Sequence, residues 1–423
     1  MSQPTRASAP RVARGVSCCL VIAWFAMATG SASANELTLA EAARRAVEFA
    51  PQLEASRATI EAAAEDLRRA GRLPDPMLAI GFDSLPVSGA DAFDFDADSM
   101  TQKTIGLRQA LPARAKRAAQ RRAAARNVEL AQLDAEVERL DVARAAASAW
   151  VDVWSARREI EALGSLRTQA QLAARLTRAR VAGGGSVLDA LAAEAGVLEV
   201  DSEVAAAEGT AGEALAELRR WIGDEAVTIA ASAPDFDRAP RPEGEALAIL
   251  NRQPLLRSAG AKVASAVAAV DEARAERRPD WDFTASYGQR SGFDDMLMFE
   301  VGVSLPLFAG NRQAPGIAAR TAEQRAARAA EESLRRELTA RVRAAYARWE
   351  ALRRQVSIHE QVLQLARDRS AAALASYRAG GELNPWLDAR RDESTAHRAH
   401  TQHLAGLGRA WVELAYLFEE TTP

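Results

Sequence analysis

Three histidines stand three residues apart near the C-terminus, in the stretch HRAHTQH. Glu393 lies one helical turn before the first of them, His397, and His400 and His403 follow. Imidazole nitrogens beside a carboxylate suit zinc, copper or nickel. In a helix, however, the first and third histidines lie about 120° apart around the axis, so one ion does not reach all three. The pattern therefore favours a solvated helix face, and we predict no metal site.

Two further patterns could bind ions or phosphate. The stretch DAFDFDADS contains four aspartates: Asp91, Asp94, Asp96 and Asp98. They could attract cations, although a solvated loop is the simpler interpretation. The triple glycine at 183–185 lacks the following Lys-Ser/Thr of a phosphate loop. No carboxylate–His–Ser arrangement stands out, so the sequence gives no case for an enzyme and predicts no cofactor.

The first 34 residues have the features of a secretion signal. A basic region with three arginines precedes the apolar run CCLVIAWFAMA, and ASA at 32–34 is a small-residue cleavage site. A single membrane anchor is the alternative, but the run is short for a bilayer span of about 20 residues. Cleavage removes both cysteines and three arginines, which changes the net charge from −3 to −6. A negative charge argues against a nucleic-acid partner.

An internal duplication organises the rest of the chain. Subtracting 196 from second-half positions places Gly302 on Gly106 and Leu307 on Leu111, without a gap over more than a hundred residues. We therefore divide the chain into a signal peptide (1–34), a first repeat (35–233), a proline-rich linker (234–245) and a second repeat (246–423).

Each repeat has the same order of elements: a helix, two strands around a loop, a long helix and a shorter returning helix. The predicted bounds are 38–70, 76–85, 103–111, 113–182 and 186–222, then 246–278, 280–290, 296–308, 317–379 and 384–418. The second long helix has no Gly or Pro from Ile317 to Ala379, and its apolar residues recur in steps of three and four, as in coiled coils. At 1.5 Å per residue it is on the order of 100 Å long.

The predicted strands alternate apolar and polar residues. In MFEVGVSLPLF an apolar residue recurs at every second position from Phe299 to Leu307. Each strand is near the roughly 9–11 residues that a tilted strand needs to cross a bilayer. Open sheet edges do not occur in lipid, and four strands do not close a barrel. A membrane-crossing sheet must therefore pool its strands with other copies; the alternative is a small soluble sheet that caps a helical bundle.

Together with the duplication, the stretches VGVSLPLFAGNR, YRAGGELNPWLDARR and VAGGGSVLDA resemble the TolC family of outer-membrane efflux proteins over essentially the whole mature chain. The heavy-metal subtype (cobalt–zinc–cadmium and copper–silver) is the most similar. The resemblance implies a mainly α fold with a small membrane β-sheet. Duplicated long coiled-coil α-hairpins would form a periplasmic tunnel, and four strands per chain would contribute to a homotrimeric, twelve-stranded β-barrel.

The resemblance also implies location, partners and activity. The protein would lie in the outer membrane of a Gram-negative cell, in contact with outer-membrane lipid, and would extend into the periplasm. Its partners would be a periplasmic membrane-fusion adaptor and an inner-membrane efflux pump. As the channel of this tripartite system it would export metal cations or small toxic compounds. The alternative is a periplasmic coiled-coil scaffold or adaptor, which has no use for four bilayer-length strands.

The family's gate is implied at the two hairpin turns. Gly183 and Asp189 match its first-half glycine and aspartate, and Tyr377, Gly380 and Asp388 match its second-half tyrosine, glycine and aspartate. Threefold assembly would bring six of these carboxylates around one constriction. If the Tyr377 hydroxyl holds the turns closed, its removal should open the channel. The alternative is that both aspartates only cap helix starts.

The second turn departs from the family pattern in two ways. One residue fewer separates its glycine from its aspartate, and Glu382 stands where the family typically has an arginine. Arg378 is the candidate substitute for that arginine.

Overall fold

The computed structural model describes residues 36–224 and 228–418, so the predicted signal peptide at 1–34 lies outside the described residues. The first half contains α1 (Leu39–Phe49), α2 (Pro51–Arg69), β1 (Met77–Asp83), β2 (Gln102–Leu111), α3 (Arg114–Ala182) and α4 (Val187–Ile222). The second half contains α5 (Glu243–Ala248), a short 3-10 helix (Leu250–Arg252), α6 (Pro254–Ala275), β3 (Asp280–Gln289), β4 (Met296–Ser304), α7 (Gln313–Arg378) and α8 (Asn384–Ala415). The predicted order of elements is confirmed.

Proline interrupts the two helices that the sequence predicts as continuous over 38–70 and 246–278. Ala50 ends α1 with φ −65° and ψ 123°, and Pro51 begins α2. Gln253 has φ −63° and ψ 126° before Pro254, which begins α6. A residue before proline is driven out of the helical region, and proline is tolerated only in a first turn. The predicted continuity is therefore wrong at both points.

The long helices agree with their prediction. α3 and α7 contain 69 and 66 residues, so each is about 100 Å long. α3 packs against α4 and α8, and α8 packs in turn against α7, which places α4 and α7 on the outside of the set. α7 begins four residues before the predicted 317, because Pro315 fits its first turn. In the described part of the chain, no helix is both long and apolar enough to cross a membrane.

The four strands form one antiparallel sheet in the order β1-β2-β3-β4. The pairing register gathers large apolar side chains on one face: Leu78, Ile80, Ile105, Leu107, Trp281, Phe283, Tyr287, Phe299, Val301 and Val303. These side chains are between 38% and 76% exposed. Polar residues of the other face, such as Asp282, Thr284 and Ser286, are half-buried. The sheet is therefore inverted relative to one that folds in water, where the apolar face is covered.

β4 ends at Ser304, short of the predicted 308. Pro306 has no backbone N–H to donate to a neighbouring strand. The chain instead makes a tight turn in which the Leu307 N–H donates to the Leu305 carbonyl at 2.9 Å. Leu305 and Leu307 thus continue the alternating pattern of the sequence but lie beyond the end of the strand.

The main core lies where the long helices meet the segments that join the halves. The Trp150 indole on α3 donates to the carbonyl of Leu37 at 2.7 Å, and the Trp349 indole on α7 donates to that of Phe236 at 2.9 Å. The Phe236 ring also packs against Trp154 with ring centroids 5.7 Å apart. These contacts hold the segment around Phe236, within the predicted linker, against both halves.

Candidate functional site

The first hairpin turn depends on glycine at two positions. Gly184 has φ +92°, and a Cβ on Gly185 would lie 2.9 Å from the carbonyl of Arg180. Both positions therefore favour glycine. Gly183 has φ −97° and donates its N–H to the Arg180 carbonyl at 2.9 Å. The left-handed residue of the turn is thus Gly184, one position after the glycine that the sequence singles out.

A side-chain cap begins α4 directly after this turn. The Ser186 hydroxyl accepts a hydrogen bond from the N–H of Asp189 at 3.2 Å. Asp189 is the third residue of the helix, where a carboxylate stabilises the positive end of the helix dipole. Its side chain is half-buried. This geometry agrees with the interpretation of Asp189 as a residue of the helix start.

The second turn has no such cap. Gly380 has φ +106°, which favours glycine as at Gly184. Arg378 and Glu382 are both exposed, and within the described ranges neither forms an ion pair. Asp388 is exposed as well, and the nearest cationic atom is Nη1 of Arg391 in the same helix, 3.9 Å away. The convergence of these carboxylates in a threefold assembly stays a prediction.

A small apolar cluster holds the two hairpins together above the turns. This tip core consists of Ala173, Ala174, Ala193, Tyr377, Leu383, Trp386 and Leu387. Trp386 is fully buried and Leu383 is 1% exposed. The cluster combines side chains of α3, α4 and α7 with those at the start of α8. It fixes the relative position of the two hairpin ends by burial of apolar surface.

Tyr377 is the predicted gate residue that joins the two hairpins. Its ring lies 3.9 Å from the guanidinium carbon of Arg180, and Arg180 donates a hydrogen bond to the Tyr377 carbonyl. The Tyr377 hydroxyl has no hydrogen-bond partner among the described residues. Burial and then the nearby Asp189 carboxylate raise the pKa of this phenol, against the opposing effect of Arg180. In the single chain the ring and the carbonyl therefore make the contact with Arg180, and the role of the hydroxyl in an assembled gate stays a prediction.

One buried arginine connects α8 to α4 about one helical turn beyond the tip core. Arg390 is 3% exposed and donates through Nη1 to the carbonyl of Gly196 at 3.0 Å. A Cβ on Gly196 would lie 2.9 Å from Nη2 of the same guanidinium. Burial lowers the pKa of Arg390, and Glu199 opposes this, its Oε2 lying 3.7 Å from Nη2. We call the line of contacts between α4 and α8 that begins here the seam.

The seam continues through charged pairs that are more exposed. Arg391 donates to Glu199 at 3.0 Å, and the Ser394 hydroxyl donates to Glu203 at 2.7 Å. Arg398 then lies 3.3 Å from Glu203. Exposed pairs of this kind contribute about 0–1 kcal/mol each to stability. The Arg390 contact differs from them because its guanidinium is buried.

The histidines lie between α7 and α8. His359 of α7 stacks on His403 with ring centroids 4.3 Å apart, and Arg367 contacts Nε2 of His397 at 3.2 Å. Burial lowers the pKa of His397, His400 and His403. The predicted solvated face is therefore wrong. Within the described ranges, no group of three or more His, Cys, Asp or Glu side chains could hold a metal ion.

The aspartates of the first inter-strand loop shape that loop. Asp94 and Asp98 accept backbone hydrogen bonds from Asp96 and Met100, each at 2.9 Å. Asp96 accepts from Ser291 in the second inter-strand loop. These contacts agree with a structured, exposed loop.

The pattern of family residues missed Arg180, Arg390 and Trp386. Trp386 carried a usable signal, because a tryptophan beside a turn is unexpected in a chain with 5% aromatics. Arg390 carried none, since Arg390 and Arg391 are adjacent and only the structure shows that the first is buried while the second is exposed.

Comparison with known proteins agrees with this architecture. The family model described as "Outer membrane efflux protein" matches residues 42–224 and 247–418. A comparison with curated protein sequences gave no match. Three solved structures have similar folds and 15–20% sequence identity.

The first is a membrane protein from Pseudomonas aeruginosa, with 20% identity, 91% of each chain covered and a TM-score of 0.76. CusC, whose structures concern folding and transmembrane channel formation, has 17% identity, coverage of 91% and 92%, and a TM-score of 0.77. The Campylobacter jejuni CmeC outer membrane channel has 15% identity, coverage of 91% and 87%, and a TM-score of 0.76. The family model matches well over half of the chain, so the chain belongs to the outer membrane efflux protein family.

Proposed function

We propose that this outer-membrane efflux channel component works as a homotrimer that joins a periplasmic membrane-fusion adaptor and an inner-membrane efflux pump to the cell exterior. Family membership places the chain in the outer membrane, agrees with the predicted absence of enzymatic activity, and does not agree with the alternative of a periplasmic scaffold. We further propose that the two repeats begin and end as predicted, at 35–233 and 246–423, around the linker at 234–245.

The inverted sheet carries the proposal of a trimer. Its apolar face is outward, and β1 and β4 each have one edge without a partner strand in the described chain. Unpaired edges are not stable in lipid. Three copies would supply twelve strands and could close a barrel in which β4 of one copy pairs with β1 of the next.

The outer helices supply a second surface for self-association. α4 exposes Leu188, Leu191 and Leu198, and α7 exposes Ile358 and Leu365, each at least 57% accessible in the single chain. Both sets follow helical spacing, so each forms a stripe on its helix. In a closed ring, α4 of one copy would meet α7 of the next, and the two stripes would cover each other.

The gate and the cargo are the finer parts of the proposal. The hairpin turns would face the adaptor, and the predicted gate residues would control passage at that end. Asp189, Glu382 and Asp388 place negative charge near the turns, which would raise the local concentration of cations. We therefore propose a cargo of metal cations or small toxic compounds, with the heavy-metal subtype as the first to test.

Cell fractionation followed by unheated electrophoresis in detergent tests the assembly. We expect mature protein that begins near Asn35, in the outer membrane, migrating as a trimer that heating converts to a monomer. Recovery as a soluble periplasmic monomer would rule out the proposal. A deletion strain should then lose resistance to metal salts or organic toxins, and complementation by the wild-type chain should restore it. Sensitivity confined to organic toxins would reject the heavy-metal subtype.

A further inference from the structure

The apolar face of β4 continues past the end of the strand into a segment whose large apolar side chains stay exposed among the described residues. The interfacial segment, Leu305–Arg312, lies between β4 and α7. Leu305, Leu307 and Phe308 in it are 64%, 77% and 78% exposed. The first half shows that such a segment is not needed to join a strand to a helix, because only Pro112 and Ala113 separate β2 from α3.

The segment is held by its own backbone, which leaves its apolar side chains available for another partner. The N–H groups of Asn311 and Arg312 both donate to the Phe308 carbonyl at 3.1 Å. With the Leu305–Leu307 turn, these bonds fold the segment without using a side chain. An ordered backbone that presents two leucines and a phenylalanine outward is typical of a surface that contacts apolar material.

The sheet indicates the membrane depth of this segment. Trp281 pairs with Val303 on the apolar face, and the next pair, Asp280 with Ser304, is polar. Asp280 accepts a hydrogen bond from Lys116 at 2.7 Å, so charge begins at this level. Tryptophan concentrates at the boundary between hydrocarbon and headgroups. The interfacial segment therefore lies at the level of the phospholipid headgroups on the periplasmic side.

Two arginines stand at the same level. Arg278 and Arg312 line one cleft of about 510 Å³ together with Leu305. Neither forms an ion pair within the described residues, whereas the acids in that cleft, Glu276 and Asp280, both lie within 3.4 Å of Lys116 Nζ. Guanidinium groups bind phosphate oxygens well because of their planar donor geometry.

We propose that the interfacial segment binds phospholipid of the periplasmic leaflet. Leu307 and Phe308 insert among the upper acyl chains, and Arg278 with Arg312 contacts the lipid phosphate. Two observations favour lipid over a second copy of the chain: continuity with the lipid-facing row of β4, and the position beside Leu305 of two arginines that form no ion pair among the described residues. The inference rests on the outer-membrane position of the sheet and is independent of the cargo.

Spin labels at three matched positions test the insertion. Leu307, Phe299 and Val87 are 77%, 76% and 70% exposed in the chain, and they lie in the interfacial segment, the sheet and the first inter-strand loop. Each is replaced by cysteine in the mature protein, which has no other thiol because Cys18 and Cys19 lie in the predicted signal peptide, and the protein is reconstituted in phosphatidylglycerol vesicles.

We expect the label at 307 to collide often with oxygen and rarely with a water-soluble nickel chelate, as the label at 299 does. Frequent collisions with the chelate, as expected at 87, would place the segment in water. Infrequent collisions with both reagents would place it against a neighbouring copy. Either result would overturn the proposal.

Lipid affinity tests the arginines. In assembled protein in detergent, Arg278→Gln with Arg312→Gln should weaken phosphatidylglycerol binding about fivefold for each arginine. The control, Arg325→Gln with Arg328→Gln, makes the same charge change on an exposed part of α7 and should leave binding unchanged. Equal loss in both pairs, or displacement of the lipid by an equal concentration of inorganic phosphate, would reject a phospholipid site. If the first pair does not assemble, the spin labels decide, since they leave both arginines intact.

Discussion

The sheet and the tip core use apolar side chains in opposite ways. In the sheet, Phe299 is 76% exposed and the polar residues of β3 on the opposite face are half-buried; in the tip core, Trp386 is fully buried. The hydrophobic effect removes apolar surface from water in both regions. In the tip the protein itself supplies the cover, whereas in the sheet the cover is the bilayer. Exposure in a single chain therefore has different meanings at the two ends.

The two hairpin turns show a smaller contrast of the same kind. The first begins α4 with a polar cap at Ser186 and leaves Leu188 exposed, while the second begins α8 without a side-chain cap and buries Leu383 and Trp386. The first turn is thus held by hydrogen bonds and charge, and the second by packing. Substitutions in these regions should separate the two kinds of support.

Truncation of the tip core should have the largest effect. Trp386→Ala removes a fully buried indole and should cost about 3–5 kcal/mol of local stability. Hydrogen exchange at the start of α8 measures this loss as faster exchange. The control Leu188→Ala, at a 77% exposed position, should change local stability by less than about 0.5 kcal/mol in the monomer. Comparable exchange in the two variants would contradict the assigned packing.

A charge on the outward face of the sheet should have the next largest effect. Val301→Lys near the middle of β4 should cost about 2–4 kcal/mol if that face contacts lipid. Thr284→Lys starts from a side chain of similar shape on the opposite face, directly across from Glu300, and should be tolerated. The yield of unheated trimer in outer-membrane fractions measures both. Equal yields would mean that the two faces are assigned the wrong way round.

Loss of Arg390 should separate α8 from α4. Arg390→Ala removes a buried, charge-assisted hydrogen bond to the Gly196 carbonyl, which should cost about 1.5–3 kcal/mol. We expect higher basal conductance of the purified channel in planar bilayers. The neighbouring Arg391→Ala removes an exposed pair and should cost less than about 1 kcal/mol. A seam that contributes nothing to closure would give the same conductance in both variants.

Removal of the acids near the turns should change selectivity more than stability. Asp189→Ala with Asp388→Ala lowers the negative charge at the proposed mouth, so the preference for cations over anions should fall. The difference from wild type should shrink in 1 M salt, where the screening length is about 3 Å. Reversal potentials across a salt gradient provide the measurement. A selectivity that the double substitution does not alter would leave both residues with roles at helix starts only.

The smallest effect should come from the hydroxyl of Tyr377. Its oxygen is buried without a hydrogen-bond partner among the described residues, while the ring contacts Arg180. Tyr377→Phe keeps the ring, so the free energy of unfolding should change by less than about 1 kcal/mol in either direction. Basal conductance should match wild type, in contrast to the opening that the sequence alone predicts. A marked rise would show that the hydroxyl gains a partner in the assembled channel.

Much of the fold could be predicted because it depends on local pattern. The absence of Gly and Pro from Ile317 to Ala379 predicted a helix whose start lies within four residues of the observed start of α7. Strand alternation identified the apolar row of β3 and β4, and the duplication related the halves. The errors were also local in origin: the effects of Pro51 and Pro254 on helix continuity, and of Pro306 on the end of β4, are short-range backbone constraints that the periodicity of apolar residues conceals.

The sequence by itself determined the secondary structure, the duplication, the two faces of the sheet and the positions of the turns, because backbone propensity and apolar spacing act over a few residues. Only the tertiary structure decided that Arg390 is buried beside its exposed neighbour Arg391, that Arg180 stacks on Tyr377, and that His359 meets His403. Arg390 is buried against Gly196, and each of the three contacts joins residues more than 40 positions apart in the sequence. Their burial and partners follow from how long helices pack side by side, which no local pattern specifies.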